Sequence, residues 1–126
     1  MTGEQVFFYS ILVLIAFVYI RKQLAARGLK NYSPADVKEK MKAGSILLDV
    51  RTSRERSAHS IGGSIHIPLH EIGSRLKDLE KHRGKEIICY CASGNRSVSA
   101  AVKLKKAGFN VANLKGGIAA WNFSNR

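Results

Sequence analysis

From Val6 to Ile20 the chain reads VFFYSILVLIAFVYI, without one charged side chain. As an α-helix this run is about 22 Å long, short of the ~30 Å hydrocarbon core of a bilayer. Extended outward from Gly3 to Leu24, it is long enough. Tyr9 and Tyr19 then lie near the two interfaces, and Arg21 and Lys22 can snorkel at one end. A secretory signal would need a positive leading region, but the first charged side chain is Glu4. Ala25-Ala26-Arg27 also makes a poor cleavage site. A core helix would have to hide apolar surface on every side. The run is therefore expected to be a single-pass membrane anchor over residues 1–22, with a basic juxtamembrane linker over 23–32 and one folded domain over 33–126. Arg21, Lys22, Arg27 and Lys30 follow the run and no Lys or Arg precedes it, which places the domain on the cytoplasmic side. That compartment keeps thiols reduced.

Composition narrows the class. The 126 residues are 45% hydrophobic, which excludes a largely disordered chain. With only two cysteines, at Cys89 and Cys91, a disulfide-rich scaffold is excluded. Residues 1–30 carry 4 basic and 1 acidic side chains, and residues 31–126 carry 17 and 8, so +9 of the net +12 belongs to the domain. Such a charge attracts small anions. A nucleic-acid surface would interleave aromatics with the basic residues, and only Phe109 lies near Lys103, Lys105 and Lys106. No nucleic-acid partner is expected, and those lysines read as the solvated face of a helix.

In the domain, apolar strand-like runs alternate with helical patterns. Ser33-Pro34-Ala35-Asp36 starts a helix that ends at Gly44, since serine caps, proline suits the first turn and Asp36 faces the positive end of the dipole. Ile46–Val50, Glu86–Tyr90 and Phe109–Leu114 read as buried strands, with a short extended piece at Ile65–Pro68. One helical turn is expected after Ser53. Leu69, Ile72, Leu76 and Leu79, spaced by 3, 4 and 3, predict an amphipathic helix. Further helices are expected over Ser97–Ala107 and after Gly116-Gly117. The alternation predicts an α/β domain, a small parallel sheet with helices on both faces.

Chemistry concentrates at Cys91-Ala92-Ser93-Gly94-Asn95-Arg96-Ser97. Cys91 ends a strand, where open α/β sheets bind ligands. The small residues after it can turn successive N–H groups inward at a helix N-terminus, and Arg96 adds a positive charge. These features favour thiolate over thiol, so Cys91 is expected to be an accessible nucleophile with a lowered pKa.

Four motifs in order then resemble the rhodanese family. They are Leu47-Leu48-Asp49-Val50-Arg51, Ile61 to Pro68, the Cys91–Ser97 loop, and Gly116-Gly117-Ile118-Ala119-Ala120-Trp121. Together they cover about Ser33 to Phe123. The resemblance implies a sulfurtransferase in which Cys91 takes the outer sulfur of thiosulfate as a persulfide and passes it to a thiophilic acceptor. An acceptor protein is a further partner the resemblance allows, and a non-enzymatic sulfur-relay or partner-binding role is the alternative. The backbone of Ala92, Ser93, Gly94, Asn95 and Arg96 would cradle the sulfur. Asp49 would fix Arg96, and Arg51 would line the substrate-facing rim. Ser60, Gly62 and His66 depart from residues common in the family, at positions that brace the sheet. The family's phosphatases and arsenate reductases carry a loop one residue longer, so the six-residue loop here favours sulfur. No cofactor or metal is expected, because His59, His66, His70 and His82 match no zinc spacing. Cys89 reads as a small core residue and Trp121 as core packing.

Overall fold

The computed structural model describes residues 1–126. Thr2 and Gln5 open the first helix with a reciprocal cap: the Thr2 hydroxyl accepts from the Gln5 N–H and the Gln5 carboxamide accepts from the Thr2 N–H, each at 3.2 Å. This helix, α1 (Gly3–Ala26), buries none of its side chains in the domain and is long and apolar enough to cross a membrane. It runs past the expected boundary at residue 22. The chain then turns at Gly28, whose φ of 82° suits glycine.

The expected linker is part of the fold. Lys30–Tyr32 forms β1, an edge strand parallel to β5 (Val111–Leu114). Basic residues signal topology, but three extended residues also find backbone partners on an open sheet edge, and periodicity cannot reveal a strand this short. The strands β2 (Ile46–Asp49), β3 (Ile65–His66) and β4 (Ile87–Tyr90) complete a five-stranded, all-parallel sheet in the order β1-β5-β4-β2-β3. The fold is thus α/β with helices on both faces, as expected.

The pleat sends alternate residues to opposite faces. Leu48, Val50, Ile87, Cys89, Cys91 and Val111 pack on one side against Ala100, Ala101 and Leu104 of α4 (Asn95–Lys106). Leu47, Ile88, Tyr90, Ala112 and Leu114 pack on the other against Val37 of α2 (Pro34–Lys42) and Ile118 of α5 (Gly117–Ser124). Cys89 is completely buried, as a core residue should be. Ser33 caps α2 by accepting from the Asp36 N–H at 3.2 Å. The helical turn after Ser53 is α3 (Ser53–Ala58), capped by Thr52 and Glu55.

The amphipathic helix over Leu69–Leu79 does not form. Two 3-10 segments, Leu69–Glu71 and Leu76–His82, take its place. Ile72 and Leu79 are buried, so the spacing marked the buried face correctly. Gly73 is a poor helix residue, and the Ser74 hydroxyl donates to the Glu71 carbonyl at 3.1 Å, which competes with helical bonding.

At the carboxyl ends of β2 and β4, Asp49 lies opposite Tyr90. The Asp49 carboxylate, completely buried, accepts from Arg51 Nε and Nη2 at 3.1 and 2.9 Å, from the Arg51 N–H at 2.9 Å, from Arg56 at 3.2 Å and from the Tyr90 hydroxyl at 2.9 Å. Tyr90 Oη in turn accepts from the Ile61 N–H at 3.2 Å, which fixes the loop before β3. Replacing Asp49 by alanine would leave Arg51 buried without its counter-charge. Asp49→Ala is expected to cost about 3–5 kcal/mol in chemical denaturation, and Tyr90→Phe about 1–3 kcal/mol. A loss below about 1 kcal/mol for Asp49→Ala would show that the buried pair does not hold this end of the sheet.

Candidate active site

β4 delivers Cys91 to the carboxyl edge of the sheet, and the next residues curl into the N-terminus of α4. Two features shape the curl. Gly94 precedes α4 with φ 112°, a conformation that side-chain-bearing residues rarely adopt. Beside it, the first turn of α5 draws the loop carbonyls outward: Cys91 C=O accepts from the Ile118 N–H at 2.9 Å and Ala92 C=O from the Ala119 N–H at 3.2 Å. This packing is close enough that a Cβ on Gly117 would sit 2.4 Å from the Cys91 carbonyl oxygen, which explains the second glycine of the pair.

With the carbonyls held outside, N–H groups face the sulfur. The Gly94 N–H donates to Cys91 Sγ at 3.0 Å, and Ser97 Oγ lies 3.4 Å from Sγ. Burial pushes the Cys91 thiol up, but the Ser97 hydroxyl and the N–H groups of Ser97, Gly94 and Ser93 outweigh it and leave the thiol below its ordinary value. Cys89, with no such donors, is pushed up to about 12 by burial and by the neighbouring Cys91. One strand therefore carries two thiols of opposite character.

Ser97 has one proton and three neighbours. Its Oγ is 3.1 Å from the Gly94 carbonyl, 2.5 Å from Asn113 Oδ1 and 3.4 Å from Cys91 Sγ. As a thiol, Cys91 can donate to Ser97, which then donates to Asn113. As a thiolate, Cys91 draws the Ser97 proton toward itself. The Asn113 carboxamide is held by donating to Asn31 Oδ1 at 2.9 Å, so β1 reaches the sulfur through a chain of polar side chains.

The expected site residues separate into two groups. Cys91, Ala92, Ser93, Gly94, Asn95 and Arg96 form one continuous loop, with Ser93 and Asn95 exposed at its surface. Asp49 and Arg51 do not join it. Arg96 is held by Glu55, in a two-pronged ion pair at 2.6 and 2.8 Å, and not by Asp49. Asp49 has its oxygens taken by Arg51, Arg56 and Tyr90. Arg51 is only 4% exposed and donates to Asp49 and to the His59 carbonyl at 2.6 Å, so it braces the sheet end and lines no rim. Cys91 is also less accessible than expected, at 1% exposed.

Glu55, Ser97 and Asn113 are polar groups around the loop that sequence reasoning did not assign. Thr52-x-x-Glu55 has the spacing of a capping box, a readable signal for α3. That the same carboxylate also clamps Arg96 depends on how α3 packs.

A family model described as a rhodanese-like domain matches residues 33–124. The chain belongs to the rhodanese family. It is 35% identical over 95 residues to YtwF of Bacillus subtilis, covering 74% of this chain and 90% of that relative. To a sulfurtransferase of Allochromatium vinosum it is 38% identical over 77 residues, covering 60% and 70%. The crystal structure of a rhodanese-related protein from Thermoplasma volcanium superposes with a TM-score of 0.69 at 38% identity, covering 75% of this chain and 92% of that one. Family and relatives support sulfur transfer as the general activity, on an α/β fold.

The Arg96 guanidinium holds the Glu55 carboxyl at about 2, below the ordinary carboxyl value of 4.5. A lowered carboxyl contributes stability above its unfolded value, and that contribution fades as pH falls from 4.5 toward 2. Glu55→Gln is therefore expected to weaken the chain at neutral pH and to flatten part of its stability loss in acid. Urea titrations at several pH values check this, and parallel pH profiles for the two proteins would count against the clamp.

Proposed function

We propose that the chain is a thiosulfate sulfurtransferase working through a persulfide on Cys91. The observation that carries this reading is the cradle itself, a buried sulfur facing the Gly94 N–H and the Ser97 hydroxyl at the head of α4. The Cys91 thiolate attacks the outer sulfur of thiosulfate. A new S–S bond forms, the S–S bond of thiosulfate breaks, and sulfite leaves with that electron pair. The persulfide keeps one negative charge, which the N–H cradle and Arg96 neutralise. A thiophile such as cyanide then attacks the terminal sulfur, departs as thiocyanate and regenerates the thiolate. Ala92, Ser93, Gly94, Asn95 and Arg96 bind the sulfur and the donor's oxyanions through backbone N–H groups and the guanidinium. The positive charge of the domain attracts the donor. The six-residue loop closes tightly around a single sulfur, in keeping with sulfur chemistry over phosphate chemistry.

We also infer that α1 anchors the domain in a membrane, with the catalytic domain on the cytoplasmic side. Its length and uncharged surface support this, together with the basic residues that follow it. Detergent-free recovery of the full chain in the soluble fraction would overturn it.

Full-length protein treated with thiosulfate is expected to gain one sulfur atom on Cys91 in intact-mass measurement and to turn over thiosulfate with cyanide. Cys91→Ser should do neither, and undiminished activity in that variant would sink the mechanism. Loading without turnover would instead assign the chain to sulfur relay. Removing the Ser97 hydroxyl takes away a donor to the sulfur. Ser97→Ala is expected to raise the Cys91 pKa and slow its alkylation by iodoacetamide at pH 7 by about tenfold. An unmoved pH profile would remove Ser97 from the role of thiolate donor.

A further inference from the structure

α1 and α4 lie side by side without closing on each other. A groove of about 590 Å³ runs between them. Its α1 wall is formed by Phe17, Val18, Arg21, Lys22, Leu24 and Ala25, which share one helical face. Val98, Ser99, Val102, Lys103 and Lys106 form the α4 wall, again one face. No carboxylate lines the groove, and Arg21, Lys22, Lys103 and Lys106 take part in no salt bridge. Phe17, Val18 and Leu24 are 56%, 56% and 57% exposed, and the Arg21 guanidinium lies over the Phe17 ring at 5.8 Å from its centroid.

The groove has a direction. Gly28, Leu29 and Lys30, just after α1, lie beside Lys105 and Phe109 at the far end of α4, and β1 pairs with the strand that follows α4. The two helices therefore run in the same sense, with both C-terminal ends at this point. Phe17, Val18 and Val98 sit at the end that faces the uncharged part of α1. Lys22, Lys103 and Lys106 sit about 7 to 12 Å further along, away from it. An apolar end toward the hydrocarbon and a cationic end toward the headgroups is the polarity of a phospholipid in one leaflet.

We propose that this groove holds one anionic phospholipid of the bilayer that α1 spans. Its acyl chains lie along Phe17, Val18, Val98 and Val102, and its phosphate lies among Arg21, Lys22, Lys103 and Lys106. Lys103 and Lys106 then have a ligand and are more than a solvated helix face. The inference rests on the reading of α1 as a membrane anchor.

The test uses the full-length protein reconstituted with an equal mixture of phosphatidylcholine and phosphatidylglycerol, then released into mild detergent for native mass spectrometry. One retained phosphatidylglycerol per chain is expected, in preference to phosphatidylcholine. Lys103→Glu/Lys106→Glu should reduce that retention by about tenfold or more. Lys105→Glu, on the same helix but outside the groove, should leave it unchanged. Sulfur loading of Cys91 from thiosulfate, measured on the same samples, should persist in all three proteins and reports that each is folded. Equal retention of the two lipids, retention undiminished in the double variant, or an equal loss in Lys105→Glu would each overturn the site. Flotation with vesicles of phosphatidylcholine alone tests the anchor separately. A chain that floats but shows no lipid preference loses only the groove proposal, whereas one that does not float loses the anchor as well.

Discussion

Two hydrogen bonds from the first turn of α5 to the carbonyls of Cys91 and Ala92 decide which way the loop faces. A peptide unit has two polar ends pointing in opposite directions, so fixing the carbonyls outside commits the neighbouring N–H groups to the inside. The Ser93 N–H, one of the donors that lower the Cys91 pKa beside those of Ser97 and Gly94, shares its peptide with the held Ala92 carbonyl, and this packing depends on Gly117, where any side chain would collide with the Cys91 carbonyl oxygen. The last helix of the domain thus shapes chemistry that occurs on a strand some twenty-five residues earlier.

The charges near the loop fall into two assemblies. Asp49, Arg51, Arg56 and Tyr90 tie β2 to β4 and the loop before β3, well buried and saturated with hydrogen bonds. Glu55 and Arg96 form a clasp between α3 and the start of α4 whose side chains are about one third exposed. A buried ion pair holds geometry firmly but leaves no capacity for a ligand. A partly exposed one keeps its guanidinium near solvent, where an arriving anion can meet it.

The sequence revealed the parts of the fold that depend on local patterning. Strand runs at Ile46–Val50 and Glu86–Tyr90, the Ser33 cap and the Cys91–Ser97 loop all have short-range signatures, and each occurs as expected. What it concealed depends on long-range packing. β1 is three residues whose only reason to be a strand is the free edge of β5. Arg96 could have met either of two carboxylates, and only the placement of α3 gives it Glu55. The spacing of Leu69, Ile72, Leu76 and Leu79 encoded which side is buried but not how tightly the backbone coils. Cys91 looked accessible because strand ends usually are, and the curl of the loop over it cannot be read from residue types.

Both edges of the sheet are short: β1 has three residues and β3 has two. Long, flat edges invite pairing with another chain. Edges as short as these offer a second copy of the chain little to pair with. The Lys30 ammonium, tied to Glu86 at 2.6 Å, places a charge at the outer strand where a second sheet would have to dock. The same short strand whose Asn31 accepts from Asn113 beside Ser97 therefore also guards the sheet against joining its neighbours.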